Sequence, residues 1–343
     1  MSLSHQFIIA LGNLDKFGVT SVNKVCAAVE SETISIESPK DLHVFLRDII
    51  SKGAISRVRL PALDEIEKAS DVAAGIISKS ERMGIRVVSR FDADFPKMLL
   101  STVGEDGKPS VPVLLYYKGD LSITERPALA IIGTREPDSY GMAAGHYYGE
   151  AFAGIGVNIV SGLAIGCDTA GHRGALDVSG ATTAILAHGL DSVYPQENTD
   201  LAQEIVEKGG LLLSEYPIGT WVNRYNLVAR DRLQAGLADA TLVIQTGIKG
   251  GTMHAVRATQ AAGKPLFVVD YSRSSSEKVQ GNIFLKKEGA IGLNASEFSG
   301  SRIQSEPEFM INMIRGKAVP PKVVEKSEVE KEPNTDGLLP FDL

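Results

Sequence analysis

From Val87 to about residue 290, apolar segments of six to eight residues alternate with segments of helical periodicity. The apolar segments are ALAIIG, VNIVSG, TTAILA, GLLLSEY, ATLVIQTG and PLFVVDY. Continuous apolar runs of this kind are typical of parallel strands that are buried on both faces. The pattern predicts an α/β fold with a Rossmann-like, doubly wound and mostly parallel sheet. The intervening helices are expected near residues 141–154, 169–179, 200–208, 227–237 and 251–262.

The carboxyl ends of parallel strands meet at one edge of such a sheet, and ligands bind beyond that edge. We therefore expect one side of the molecule to collect the loops that begin at Gly133, Gly162, His188, Glu215, Thr246 and Asp270.

The chain divides by composition into three parts. Residues 1–86 contain several helix-like segments and no long apolar strand, which predicts a small helical domain of SAM or helix-hairpin-helix type. Such a domain either contacts nucleic-acid backbones or serves in packing. Residues 87–317 form the predicted Rossmann-like core. Residues 318–343 are rich in Lys, Glu and Pro and predict a disordered tail, whose apolar end, LLPFDL, either docks an unknown partner or has no role.

Charge and cysteine content limit the class of protein. The net charge of −7 argues against nucleic-acid binding over the whole surface, yet residues 217–264 hold six Lys or Arg against two Asp. No apolar run of about 18 residues is present, and the N-terminus lacks a basic leader. Two distant cysteines fit a reducing compartment. These features predict a cytoplasmic protein without a membrane segment.

The loop after ALAIIG suits a phosphate group. Gly133 allows close backbone approach, Thr134 can cap the next segment or donate to an oxyanion, and Arg135 has a guanidinium that matches phosphate oxygens. The NAD fingerprint and the phosphate-loop pattern are both absent. The alternative is an ordinary strand-to-helix turn with an exposed arginine.

Two further regions could contribute to the same edge. Arg230 and Arg232 lie two residues apart on a predicted helix, so their side chains diverge by about 200° and one can reach a ligand while the other pairs internally. Lys249 precedes a glycine-rich turn that offers backbone amides ahead of a helix. That turn contains Gly250, Gly251 and Thr252.

Catalytic and metal sites find little support in the sequence. Ser161 is a weak candidate nucleophile because VSGLA lacks G-x-S-x-G and no general base can be assigned. Cys167 and His172 are too few ligands for a closed zinc site. We expect neither a metal nor another cofactor.

Several long segments follow one another along the chain: DFPKMLL with VPVLLYYKGDL, AIIGTREPDSYG, IVSGLAIGCDTAGHRGAL, ARDRLQAGLADATLVIQ and GNIFLKKEGA. Together, from about Phe95 to Ala290, they resemble the DNA-processing protein A family, DprA or Smf. The resemblance implies a protein that binds and protects single-stranded DNA and loads the RecA recombinase onto it during natural transformation. It also implies a homodimer that is not an enzyme.

The resemblance implies a DNA groove as well. Arg135, Arg230 and Lys249 match positions that line this groove, and Gly133, Thr134, Gly162 and Gly251 match positions that shape it. We add to the predicted DNA- or phosphate-binding set Ser161, Arg232, Gly250 and Thr252.

The chain also departs from the family pattern. Asp231 stands where the family has Asn between two arginines, which adds a negative charge. RYNLVA replaces the family's H-F-P, and KGGTMHA replaces its S-G-[ST]-L-x-T-A. The winged helix that often ends the family is not matched by the short polar tail.

Two other functions are compatible with the same edge. A nucleotide-binding sensor would use the loops for one nucleotide and signal to a protein partner. A phosphoribohydrolase of the LOG type would resemble P-G-G-x-G-T-x-x-E, but Ala255 lies where the carboxylate is needed.

Overall fold

The computed structural model describes residues 3–32, 34–56, 58–271, 276–294 and the single residue 312. The predicted tail at 318–343, with its LLPFDL end, lies outside these residues.

A single nine-stranded sheet forms the centre of the molecule. Its strands are β1 (Arg86–Ser89), β2 (Leu114–Gly119), β3 (Ala128–Ile132), β4 (Asn158–Ser161), β5 (Thr182–Leu186), β6 (Leu211–Ser214), β7 (Ala240–Val243), β8 (Leu266–Asp270) and β9 (Ile291–Asn294). Their order is β1-β2-β6-β5-β4-β3-β7-β8-β9. The strands from β3 to β9 pair in parallel, whereas β2 is antiparallel to both β1 and β6. The predicted Rossmann-like, mostly parallel sheet is confirmed.

Ten α-helices accompany the sheet in the described part of the chain. They are α1 (His5–Gly12), α2 (Val19–Glu32), α3 (Pro39–Ser51), α4 (Leu63–Arg82), α5 (Ser139–Ala153), α6 (Cys167–Asp177), α7 (Thr199–Glu207), α8 (Arg224–Leu237), α9 (Thr252–Ala261) and α10 (Gln280–Lys287). No described helix is both long and apolar enough to span a membrane.

Both faces of the sheet are covered, as continuous apolar strands require. Along β3, Leu129 and Ile131 pack in one apolar cluster with Tyr148 of α5. Ala130, which points to the opposite face, packs with Leu233 of α8. This two-sided burial explains why the strands show no alternation of polar and apolar residues.

The four N-terminal helices pack against the sheet instead of standing apart from it. Leu42, Leu46 and Ile66 belong to the same buried cluster as Tyr116 of β2 and Leu186 of β5. The helical character expected for residues 1–86 is present, and the division of the chain at residue 86 stays a prediction.

A side-chain cap starts α8 at Arg224, three residues before the start that its apolar pattern predicts. Asn223 accepts hydrogen bonds from the backbone N–H groups of Tyr225 and Asn226, at 3.0 and 2.9 Å. Because the cap begins the helix at Arg224, the first turn carries that arginine as well.

Candidate functional site

An open cleft of about 480 Å³ lies beyond the carboxyl ends of β3 and β7. The loop after β3, the loop after β7 and one side of α8 form its walls. Here the strand order reverses, since β4 lies on one side of β3 and β7 on the other. Open α/β sheets bind their ligands at such a switch point.

Cations outnumber anions among the side chains that line this cleft. The cations are Arg135, Arg224, Arg230 and Lys249, and the anions are Glu136, Asp168 and Asp231. Arg135 and Lys249 are both exposed, the first in the loop after β3 and the second in the loop after β7, and neither is paired with another described residue. The mouth of the cleft is therefore positively charged, while the negative charges Asp168 and Asp231 lie deeper, beside Arg230.

Close packing sets the position of the loop after β3. A Cβ atom on Gly133 would lie 2.5 Å from Cys167 Sγ and 2.9 Å from the carbonyl oxygen of Gln245. The next residue, Thr134, donates its N–H to that same carbonyl at 2.7 Å. Only glycine fits at position 133, and its contacts hold Arg135 at the mouth of the cleft.

Thr134 caps a turn and not the helix that follows. Its hydroxyl accepts a hydrogen bond from Glu136 N–H at 3.2 Å. The cap of α5 is Asp138, whose carboxylate accepts from Gly141 N–H at 2.9 Å.

The loop after β7 is anchored from behind by a buried asparagine. Asn282 accepts from Thr246 N–H at 2.8 Å and donates to the carbonyl oxygen of Ile244 at 2.9 Å. Beyond this anchor, Gly250 and Gly251 lead into α9, whose N-terminus has no side-chain cap. The N–H groups of an uncapped helix start carry partial positive charge and suit an anion.

Arg230 forms the floor of the cleft and is only 5% exposed. Its guanidinium donates to the carbonyl oxygen of Ile185 and, at 3.1 Å, to Asp231. With its amide oxygen turned inward, Gln234 accepts from Arg230 Nη1 at 3.1 Å and from Gly162 N–H at 3.0 Å. A Cβ on Gly162 would overlap this guanidinium, so the glycine makes room for the arginine.

Two carboxylates flank this arginine, and burial raises the pKa of each. Asp168 accepts from the N–H groups of Gly162 and Ala164, at 3.0 and 3.3 Å. Burial raises its pKa, and the charge of Arg230 opposes the shift. Burial raises the pKa of Asp231 to about 6, again against Arg230. The negative charge of the cleft floor therefore changes with pH around pH 6, where Asp231 titrates.

A model of the DNA recombination-mediator protein A family matches residues 86–299, which include every strand of the sheet and every wall of the cleft. The chain belongs to this family. It is similar to protein Smf of Synechocystis sp., with 36% identity over 190 residues that cover 54% of this chain and 46% of that protein. Protein Smf of Escherichia coli is 32% identical over 201 residues, covering 58% and 52%. The chain thus spans about half the length of these curated relatives.

Family structures share the fold. That of DNA processing protein A from Streptococcus pneumoniae aligns with a TM-score of 0.71 and 24% identity, covering 89% of this chain and 99% of that one. The structure of DNA processing protein A from Helicobacter pylori, described for its single-stranded DNA binding mode, aligns with a TM-score of 0.55 and 29% identity. It covers 67% of this chain and 96% of the other.

The cleft gathers most of the residues that the sequence singled out, from the loop after β3, the loop that leads from β7 into α9, and α8. Those that line it are Gly133, Thr134, Arg135, Arg230, Lys249, Gly250, Gly251 and Thr252. Gly162 lies directly behind Arg230 and shapes the floor without lining it.

Two of the predicted binding residues lie away from the cleft. Ser161 is fully buried and donates its hydroxyl to the carbonyl oxygen of Ile131 at 2.6 Å. Arg232 makes two hydrogen bonds of 2.7 Å to Glu215 and one of 2.7 Å to the Ser110 hydroxyl. Their positions count against direct contact with a ligand, because both side chains already make hydrogen bonds within the protein.

The predicted binding set omitted three polar lining residues of α8: Arg224, Asp231 and Gln234. They follow one another at intervals of seven and three residues, which places them on one face of the helix. The spacing was available in the sequence, but nothing in it indicated which face of α8 meets the cleft.

Within the described ranges, no group of three or more His, Cys, Asp or Glu side chains could hold a metal ion.

Proposed function

We propose that this protein binds single-stranded DNA in the cleft and acts as a recombination mediator that protects the strand and loads RecA onto it. The observation that carries the proposal is the arrangement of Arg135, Arg224 and Lys249 around the mouth of an open cleft at the switch point of the sheet. Lys and Arg side chains that neutralise phosphates supply most of the sequence-independent affinity for nucleic acid.

The distribution of charge along the cleft, as well as its sign, favours a polymeric ligand. Its cations come from the loop after β3, the loop after β7 and α8, so consecutive phosphates of one strand could each meet one of them. The Helicobacter pylori relative, described by its single-stranded DNA binding mode, adds support from the family. By the same family argument we propose cytoplasmic action and a homodimer.

We further propose that the protein acts without catalysis. Burial raises the pKa of the Cys167 thiol to about 12 and lowers that of His172 to about 3, so neither suits nucleophilic or acid–base chemistry near pH 7. Ala255 lines the cleft where a LOG-type hydrolase would need a carboxylate. Release of free base from AMP would contradict this part of the proposal.

The test is fluorescence anisotropy with labelled single-stranded and duplex oligonucleotides at two salt concentrations. We expect tighter binding of the single strand and a steep loss of affinity with salt. Arg135→Gln and Lys249→Gln should each weaken binding and reduce the salt dependence by about one counterion. The control is Lys97→Gln, because Lys97 is exposed in a groove at the opposite edge of the sheet. Equal affinity of all four proteins would refute the cleft as the binding site.

A second candidate function is a nucleotide sensor. Asp231 places a carboxylate at the cleft floor, where it would repel a phosphate chain but could accept a hydrogen bond from a base or sugar. A volume of about 480 Å³ suits one small ligand. Thermal stabilisation by a mononucleotide, without binding of either oligonucleotide, would favour this function over the first.

A further inference from the structure

Two large aromatic side chains are exposed in the short segment that leads into α8 and in the first turn of that helix. Trp221, in the loop before α8, is 80% exposed, and Tyr225, in the first turn of α8, is 69% exposed. Aromatic rings carry much of the apolar area that a folded chain can bury, so two rings this exposed within five residues offer apolar area to a ligand.

Arg224 joins the Tyr225 ring to the cleft, and Trp221 precedes this arginine by three residues in the chain. Its guanidinium lies 4.7 Å above the centre of the Tyr225 ring and donates to the tyrosine hydroxyl at 2.7 Å. The same arginine lines the cleft. Because Asn223 caps α8 at this point, the position of Arg224 and Tyr225 is set by the start of the helix. We call Trp221, Arg224 and Tyr225 the aromatic edge of the cleft.

The charge around this edge indicates its occupant. An apolar protein segment would leave the neighbouring Arg135 and Lys249 without partners, whereas a single strand supplies both ring faces and phosphates. Every base has a flat face that can stack on an aromatic ring, and such stacking is sequence-tolerant. In a duplex the bases are already stacked and paired, so their faces are not available to an aromatic ring.

We infer that Trp221 and Tyr225 stack on the bases of a strand whose phosphates lie in the cleft, and that this stacking determines the preference for single strands over duplex. The inference rests on the proposed function. The cations of the cleft contact a group that both forms of DNA share, while the rings contact a surface that only the single strand exposes.

The experiment compares wild type, Trp221→Leu and Trp221→Phe on three probes of equal length. These are an oligothymidylate, a duplex, and an abasic strand with the same number of phosphates. We expect Trp221→Leu to weaken binding of oligothymidylate on the order of tenfold and to leave duplex and abasic binding unchanged. Trp221→Phe should keep most of the affinity, because it keeps a ring.

Intrinsic fluorescence gives an independent measurement, since the chain contains a single tryptophan. Oligothymidylate should quench the emission of Trp221 and shield it from acrylamide, and the abasic strand should do neither. Tyr225→Leu, which keeps the tryptophan, should weaken oligothymidylate binding with the same probe selectivity.

The outcomes separate this inference from the function on which it rests. Wild type that binds no oligonucleotide at low salt would refute both. Binding that is unaffected by Trp221→Leu, or weakened equally on all three probes, would refute the stacking role alone. Bound oligothymidylate with unquenched tryptophan would refute it as well.

Discussion

At the scale of single residues, the cleft floor is an arginine held between carboxylates. Arg230 donates to Asp231, and the charge of Arg230 opposes the rise that burial causes in the pKa of Asp168. With two carboxylates around one guanidinium, the floor carries a net negative charge when both are ionised. A phosphate that enters the cleft therefore meets attraction at the mouth and repulsion at the floor.

Binding of single-stranded DNA should strengthen as the pH falls from 7.5 to 5.5. Asp231, with a pKa raised to about 6, is ionised above that value and neutral below it. Protonation then removes one negative charge from the cleft. Asp231→Asn should bind more tightly at pH 7.5, by up to about 1 kcal/mol or roughly fivefold, with a smaller pH dependence. Anisotropy titrations at both pH values measure this, and an unchanged pH dependence in Asp231→Asn would contradict it.

Gly162→Ala should destabilise the fold by about 1–3 kcal/mol, because its Cβ would overlap the guanidinium of Arg230. Urea denaturation measures the free energy of unfolding. Gly75→Ala is the matched control: it lies inside α4 with nothing within 4 Å of a new Cβ. That change should leave stability unchanged or raise it by about 0.5–1 kcal/mol. Equal effects of the two substitutions would contradict the packing argument.

At the scale of elements, α8 connects the cleft to the core. One face carries Arg224, Asp231 and Gln234 into the cleft, while Leu233 packs under the sheet. Arg232, on another face, ties the helix to Glu215 after β6. The helix therefore holds the binding side chains at a fixed height above the strands.

Asn223→Ala should cost about 1 kcal/mol of stability and weaken binding of single-stranded DNA. The first turn of α8 loses its side-chain cap, and that turn carries Arg224 and Tyr225. Asn223→Ser should restore both properties, since serine also caps helices well. Thermal unfolding and anisotropy on the three proteins test this. Loss of the cap without loss of affinity would show that the aromatic edge does not depend on the helix start.

At the scale of the whole molecule, the N-terminal helices and the sheet share one apolar cluster. Leu46 and Ile66 are buried with Leu114 and Tyr116, all at 8% exposure or less. Composition alone predicts a separate domain at residues 1–86. The shared core indicates that the sheet depends on these helices for its cover.

A fragment that starts at residue 86 should therefore unfold at a lower temperature than the full chain and bind a dye that reports exposed apolar surface. Removal of the helices uncovers the face of β2 and β5 that contains Tyr116 and Leu186. Scanning calorimetry and dye fluorescence on both proteins measure the effect. A fragment as stable as the full chain, without added dye binding, would show that the sheet folds without the N-terminal helices and would support the predicted division at residue 86.

The sequence alone determined the order of strands and helices and the edge at which the binding loops meet. Both follow from local features: continuous apolar runs, helical spacing and glycine turns, each set by a few neighbouring residues. Seven of the eight candidate residues that line the cleft follow β3 or β7, and they meet because parallel strands end at a common edge.

Only the tertiary structure decided which polar side chains reach that cleft. Arg232 is drawn away by Ser110 and Glu215, which are 122 and 17 residues distant in the chain. The Ser161 hydroxyl donates to a carbonyl oxygen of the neighbouring strand. Arg224 enters the cleft because Asn223 begins the helix three residues before the apolar pattern indicates. Whether a polar group binds a ligand or its own protein depends on partners that are close in space and remote in sequence, so local patterns carry no record of it.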